Sequence, residues 1–219
     1  MSEQGATRSR EQHAEETRAA ILREAKRLFM ELGYRTVSTR MVAEATGVTQ
    51  PALYHHFSGK EDLYVAVLMR ELDEMGRRLA AIAGQDEPVL VRLERAAAYL
   101  VGRTHHNLAL MQHDIRTELS DAKAAAVGAR FFAMVVGPIS RIIDAGVAVG
   151  IIAPPEDIGL APAQMGLYFL HQVAFVTRPP ARTEHARTFE RQINANGRSR
   201  EELIVALFMG GVGSGQPAS

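Results

Sequence analysis

In the stretch STRMVAEATGVTQPALYHHFSGK, residues 38–60, Gln50 and Ala52 are the side chains whose types suit reading the edge of a base. A glutamine amide presents a donor and an acceptor side by side and can pair bidentately with adenine, while the methyl of Ala52 can meet the methyl of thymine. Pro51 has no donor and can only pack or shape the approach, and Thr49 stands beside the backbone. This chemistry requires all of them to lie in the first turns of a short helix that can enter a major groove.

The neighbouring residues predict that helix and its support. Ser38 is a good N-cap, and Met41, Val42 and Ala45 recur at helical spacing on one face. Gly47 falls where that helix must stop and the chain needs a positive φ. Val48 can plug the core between two helices. Thr49 is a second N-cap, with Pro51 in the first turn, where a missing N–H costs nothing. Two helices joined by a short glycine turn form a helix-turn-helix, whose second helix is the groove reader.

Upstream, Thr17 to Leu32 predicts an amphipathic helix, with Ile21, Leu22, Ala25, Leu28, Phe29 and Leu32 at spacings of three and four, ended by Gly33. Three helices of this size enclose an expected core of Ile21, Ala25, Leu28, Phe29, Val37, Val42, Ala45, Val48, Leu53, Tyr54 and Phe57. Residues 1–14 are expected to be a disordered arm, in which Arg8 and Arg10 either add a salt-sensitive contact or do nothing.

Composition narrows the class. Apolar residues make up 47% of the 219, enough for a sizeable core, and the formal charge is zero. Residues 1–60 carry nine basic against seven acidic side chains, a weak local bias. There is no cysteine, hence no disulfide framework and no thiolate metal site, which suits a reducing cytoplasm. The N-terminus is polar, and the apolar runs read as too short and interrupted to span a bilayer.

Beyond residue 60 the sequence predicts helices only, so the fold class is all-α. One runs from Lys60 to about Gly84 with a stripe of Leu63, Val67, Leu68, Leu72, Met75 and Leu79. Pro88 opens another to about Arg103, and Leu108 to Leu119 makes a short one. Ser120 and Asp121 cap a long helix to Gly150, which Pro138 should kink. Helices at about Ala163–Thr177 and Ser199–Gly210 flank a Pro/Arg/Asn/Gly-rich stretch, Arg178 to Arg198, that reads as a loop.

The run TRAAILREAKRLFMELGYRTVSTRMVAEATGVTQPALYHHFSGKEDLYVAVL resembles the N-terminal DNA-binding domain of the tetracycline-repressor (TetR) family of bacterial regulators. Its specific part is ATGVTQPALYHHFSGKEDL, which fills every named position of the family's pattern. The resemblance is strong over roughly the first 70 residues and architectural beyond. It implies a helix-turn-helix domain over 15–60, a ligand-binding and dimerisation domain over 61–212, and a short disordered tail, 213–219. It adds Tyr54, His55 and Lys60 as phosphate contacts, with Ser38, Thr39 and Arg40 opening the preceding helix, where free N–H groups also favour phosphate. The Tyr54 hydroxyl can serve the core or a phosphate, Phe57 is core, and His56 is packed or exposed rather than a contact.

The same resemblance implies a homodimer through the last two helices as a four-helix bundle, with Leu167, Tyr168, Leu170, His171, Val173, Ala174 and Phe175 on one and Leu203, Ile204, Leu207 and Phe208 on the other. The alternative is that these residues form only an intramolecular core. For a small-molecule inducer, polar and aromatic residues interrupt apolar helices at His105, His106, Asn107, Met111, His113, Phe131, Phe132, Met134, Tyr168 and His171. With no tryptophan and little acidic charge there, a neutral or weakly anionic, largely apolar ligand is favoured.

Other classes are weaker. A metal site on His105, His106, His113, Asp114 and His171 lacks any HxxxH or HExxH spacing. A Ser-His-Asp hydrolase lacks GxSxG and a sheet to carry it. No cofactor is implied. The expected function is a dimeric, ligand-responsive regulator, a repressor, on a palindromic double-stranded DNA operator. The alternative keeps the fold and has the C-terminal domain sense a metal or a protein partner.

Overall fold

A computed structural model of the chain describes residues 3–103, 114–177 and 197–213. Every regular element among them is helical, and the one pairing of extended backbone is an isolated bridge between Ile152 and Gly213. The chain divides into two compact units: Met1–Glu71 with His106–Arg130, and Leu72–His105 with Phe131–Ser219.

In the first unit, α1 spans Glu3–Thr36, with a break at Gly33 (φ 76°, ψ 163°). The helix therefore begins well before Thr17, and the arm expected to be disordered is helical from Glu3. Alanine, glutamate, glutamine and arginine dominate these residues, and all propagate a helix well once a packed turn nucleates it. Two short helices follow, α2 (Thr39–Thr46) and α3 (Gln50–His56). Ile21, Ala25, Leu28, Phe29, Val37, Val42, Leu53 and Phe57 are buried as expected. Ala45 is exposed and Ala43 takes its place in the core, while Leu32 is exposed and Val48 only half-buried. In a helix as short as α2 the buried arc is narrow, and Thr39, Val42 and Ala43 fill it.

The long helix α4 (Lys60–Ala83) belongs to the first unit up to Glu71 and to the second from Leu72. The second unit continues with α5 (Val89–Arg103). The run from Asp121 consists of α6 (Asp121–Phe131), a π-helical turn (Phe132–Val136) and α7 (Gly137–Ala148). Pro138 explains that turn. It lacks an N–H, and its ring opposes the carbonyl four residues back. A π-turn, with the Gly137 N–H bonding to the Phe132 carbonyl, shifts the register to relieve both. Taken together, residues 121–148 form a helical run long and apolar enough, by length and composition, to cross a membrane. The expectation that every apolar run is too short fails on length. However, Val135, Val136, Ile139, Ile142 and Ile143 are buried, and α7 packs on α5 and on α8 (Pro162–Thr177), as a core helix does. The last helix, α9 (Arg200–Val212), packs on α5 and α8 and starts with a capping box between Ser199 and Glu202.

Candidate nucleic-acid interface

The local chemistry of residues 38–57 builds one exposed helix. The Ser38 hydroxyl accepts from the Met41 N–H at 3.2 Å, and the Thr49 hydroxyl accepts from the Ala52 N–H at 3.3 Å. Gly47 adopts φ 73°, which a side-chain-bearing residue resists, and the Val48 N–H bonds to the Ala43 carbonyl at 3.0 Å. Leu53 is fully buried and Phe57 nearly so, which roots α3 on one side. Gln50, Pro51, Tyr54 and His55 are exposed, and Ala52 is half-exposed.

Tyr54 is 48% exposed and is no part of the core. Its hydroxyl lies 3.2 Å from the Thr39 hydroxyl, and the Gln50 amide reaches the same oxygen at 3.5 Å. Thr39 is thus a buried strut between α2 and α3, and its side chain is taken up inside the protein. The Arg40 guanidinium pairs with Glu44 at 2.8 Å on an open surface. Such a pair contributes only about 0.3–0.5 kcal/mol, so Arg40 can exchange it for a phosphate at little cost.

Lys60 is held more firmly. Its ammonium donates to the Arg35 carbonyl at 3.3 Å and stands 4.3 Å from the centre of the Tyr34 ring. Partial burial pulls its pKa below the usual lysine value. An ammonium has three donors, so this leaves it two. A contact the sequence reading missed is Arg18, whose guanidinium lies 4.9 Å from the centre of the Phe57 ring, at the end of α3. Nothing in the spacing of residues 18 and 57 signals it.

Elsewhere the nominated residues scatter. His105, His106, Asn107, Met111 and His113 lie outside the described residues. Met134 packs against α4, where a Cβ on Gly76 would sit 2.7 Å from its sulfur. Tyr168 packs on Phe208, with ring centres 5.8 Å apart. Phe132 and His171 are exposed. Phe131 is half-buried against Phe132. The nominated dimer residues also divide. Val173, Ile204 and Phe208 are buried in their own chain, whereas Leu167, His171, Ala174, Phe175 and Leu207 are exposed. The helical period sends neighbouring apolar positions to opposite sides, and only the second group can meet a partner.

An exposed, N-capped helix presented across a glycine turn by a buried strut defines a helix-turn-helix protein. Residues 21–67 match the family model described as bacterial regulatory proteins of the tetR family. The transcriptional activator FasR of Mycolicibacterium smegmatis is 39% identical over 61 residues, which cover 28% of this chain and 28% of that one. The transcriptional repressor KstR2 of Rhodococcus jostii is 26% identical over 165 residues, 73% of this chain and 76% of that one. The crystal structure of AibR in complex with isovaleryl coenzyme A and operator DNA superposes with a TM-score of 0.60 at 21% identity, covering 89% of this chain and 96% of that one. Over residues 21–67 the chain is thus similar to the DNA-binding region of the tetracycline-repressor family of bacterial regulators, and beyond it the likeness to AibR is one of fold.

Proposed function

We propose that the protein is a homodimeric, ligand-responsive repressor that places the Thr49–His56 segment in successive major grooves of a palindromic operator. The observation that carries this reading is the outer face of α3. Gln50, whose amide reaches the Thr39 hydroxyl only at 3.5 Å, and Ala52 occupy its first turns, and Tyr54 and His55 follow on the exposed side. Gln50 and Ala52 read bases, with Pro51 shaping the approach and Thr49 beside the backbone. Ser38, Arg40, Tyr54, His55 and the spare donors of Lys60 hold phosphates, and the Thr39 strut fixes the angle between the two helices.

Dimerisation is supported by an exposed stripe at helical spacing on α8, Ala163, Leu167, His171 and Ala174, apolar except for the histidine, together with exposed Ala206, Leu207 and Gly210 on α9. Two copies would bury these as a four-helix bundle. A small, largely apolar ligand in the C-terminal part would favour one spacing of the two α3 helices over another. Half-sites one helical turn apart, ~34–36 Å, tolerate little change in that spacing. That AibR was crystallised with an acyl thioester supports a ligand with an apolar portion here. A regulator of this kind works beside the DNA, in the cytoplasm.

Selection of duplexes from a random pool, followed by footprinting, tests the proposal. Gln50→Ala should change the preference at one base position in each half-site, by about 1–3 kcal/mol, and leave the others alone. An unchanged selection profile would remove Gln50 from the reading role.

A further inference from the structure

The first unit contains a buried carboxylate that the groove-reading face does not use. Asp114 is 4% exposed. Its Oδ2 accepts from the Tyr34 backbone N–H at 3.1 Å and lies 3.4 Å from the Tyr64 hydroxyl. Tyr64, fully buried in α4, completes a ring cluster with Phe29 at 4.7 Å and Tyr34 at 5.0 Å. Tyr34 follows the Gly33 break, so the carboxylate grips the chain where it turns from α1 toward the Ser38 cap of α2.

Asp114 does not act alone. Glu118 pairs with Arg35 at 2.6 Å, and the Ser120 N–H donates to Glu61 at 2.7 Å. Lys123 bridges Glu61 and Asp62 in the first turn of α4. A segment from the middle of the sequence is therefore fastened to both ends of the helix-turn-helix, at the joint before α2 and at the helix after α3. A buried carboxylate costs desolvation that an apolar anchor would not, so it makes poor sense as packing. It makes better sense as a directional hold on one N–H and one hydroxyl.

We infer that residues 114–123 act as a clasp on the DNA-binding helices, with Asp114 the positioning residue that fixes the Gly33–Tyr34 joint and so the setting of α2 and α3. This rests on the DNA-binding reading above.

The test uses the full chain, a duplex selected by the wild-type protein, and a scrambled duplex as control, all well below the melting temperature. Asp114→Ala should lose roughly tenfold or more in affinity for the selected duplex and change on the scrambled one by less than about twofold. Hydrogen exchange at the Tyr34 amide should quicken. Asp114→Asn keeps an acceptor oxygen and should recover most of both effects. An Asp114→Ala protein that melts lower but binds the selected duplex like wild type would overturn the clasp, since the carboxylate would then be merely structural. If Asp114→Ala does not fold, Glu118→Gln and Lys123→Met must show the same split between selected and scrambled DNA, and unchanged binding in both overturns it. If the wild-type chain selects no duplex, the DNA-binding reading fails separately. The clasp then stands if exchange quickens through Tyr34 and α2 in Asp114→Ala, and falls if it does not.

Discussion

At the scale of single residues, the polar groups of α2 beside α3 are either taken up inside the protein or left available at the surface. The Thr39 hydroxyl is taken up, since it joins Tyr54 and Gln50 behind the exposed surface. The Arg40 guanidinium is left available, because its exposed pair with Glu44 holds it only weakly. Arg40→Gln should leave the melting temperature almost unchanged. It should weaken binding to all DNA sequences alike and lower the slope of log affinity against log salt by about 1. Filter binding across a salt series measures this, and an unaltered slope would show that Arg40 touches no phosphate. Tyr54→Phe should also weaken binding uniformly but leave the slope intact, because the lost hydroxyl is neutral; the same series reads both.

At the scale of elements, the turn and the clasp make separate demands. Gly47 has nothing within 4 Å of where a Cβ would stand, so substitution there is opposed by backbone conformation alone. Gly47→Ala should cost about 1–2 kcal/mol in denaturant unfolding, and Gly47→Asn clearly less, since asparagine tolerates the left-handed region. Equal costs would point to crowding instead. In the clasp, hydrogen bonds from Lys123 are the main reason the pKa values of Glu61 and Asp62 lie below the usual carboxylate range, with Ser120 and Ser58 adding to them respectively. A carboxylate whose folded pKa is depressed adds stability above its unfolded pKa and loses it as pH falls through the folded value. The wild-type melting temperature should therefore drop more steeply below about pH 4 than that of Lys123→Met. Parallel curves would mean that the pairing is not felt in stability.

For the whole molecule, the question is what covers α8 and α9. Leu167 is 36% exposed and Leu207 37%, on helices whose other sides are packed into the second unit. Leu207→Glu places a charge in that stripe, where burying it against a partner would cost several kcal/mol. It should yield a folded monomer in light scattering at micromolar concentration. Affinity for a palindromic site should fall toward that of a half-site. A variant that remained dimeric would move the interface elsewhere.

The sequence alone determined the caps at Ser38 and Thr49, the turn at Gly47, the break at Gly33 and, among the described residues, the order of the helices. Each of these depends on a few consecutive residues, where backbone sterics and short-range hydrogen bonds decide the outcome. It placed the local disturbance at Pro138 for the same reason, though not its form as a π-turn. The rest needed the tertiary structure. Ala43 rather than Ala45 fills the core because burial depends on what faces a helix, and period alone leaves that open. The helical arm from Glu3 depends on nucleation by a packed turn further along. The grip of Asp114 on Tyr34 and Tyr64 joins residues far apart in sequence through single hydrogen bonds, which leave no periodic trace. Only the folded chain could show that the segment before α6 is fastened to Tyr34, Arg35 and Glu61.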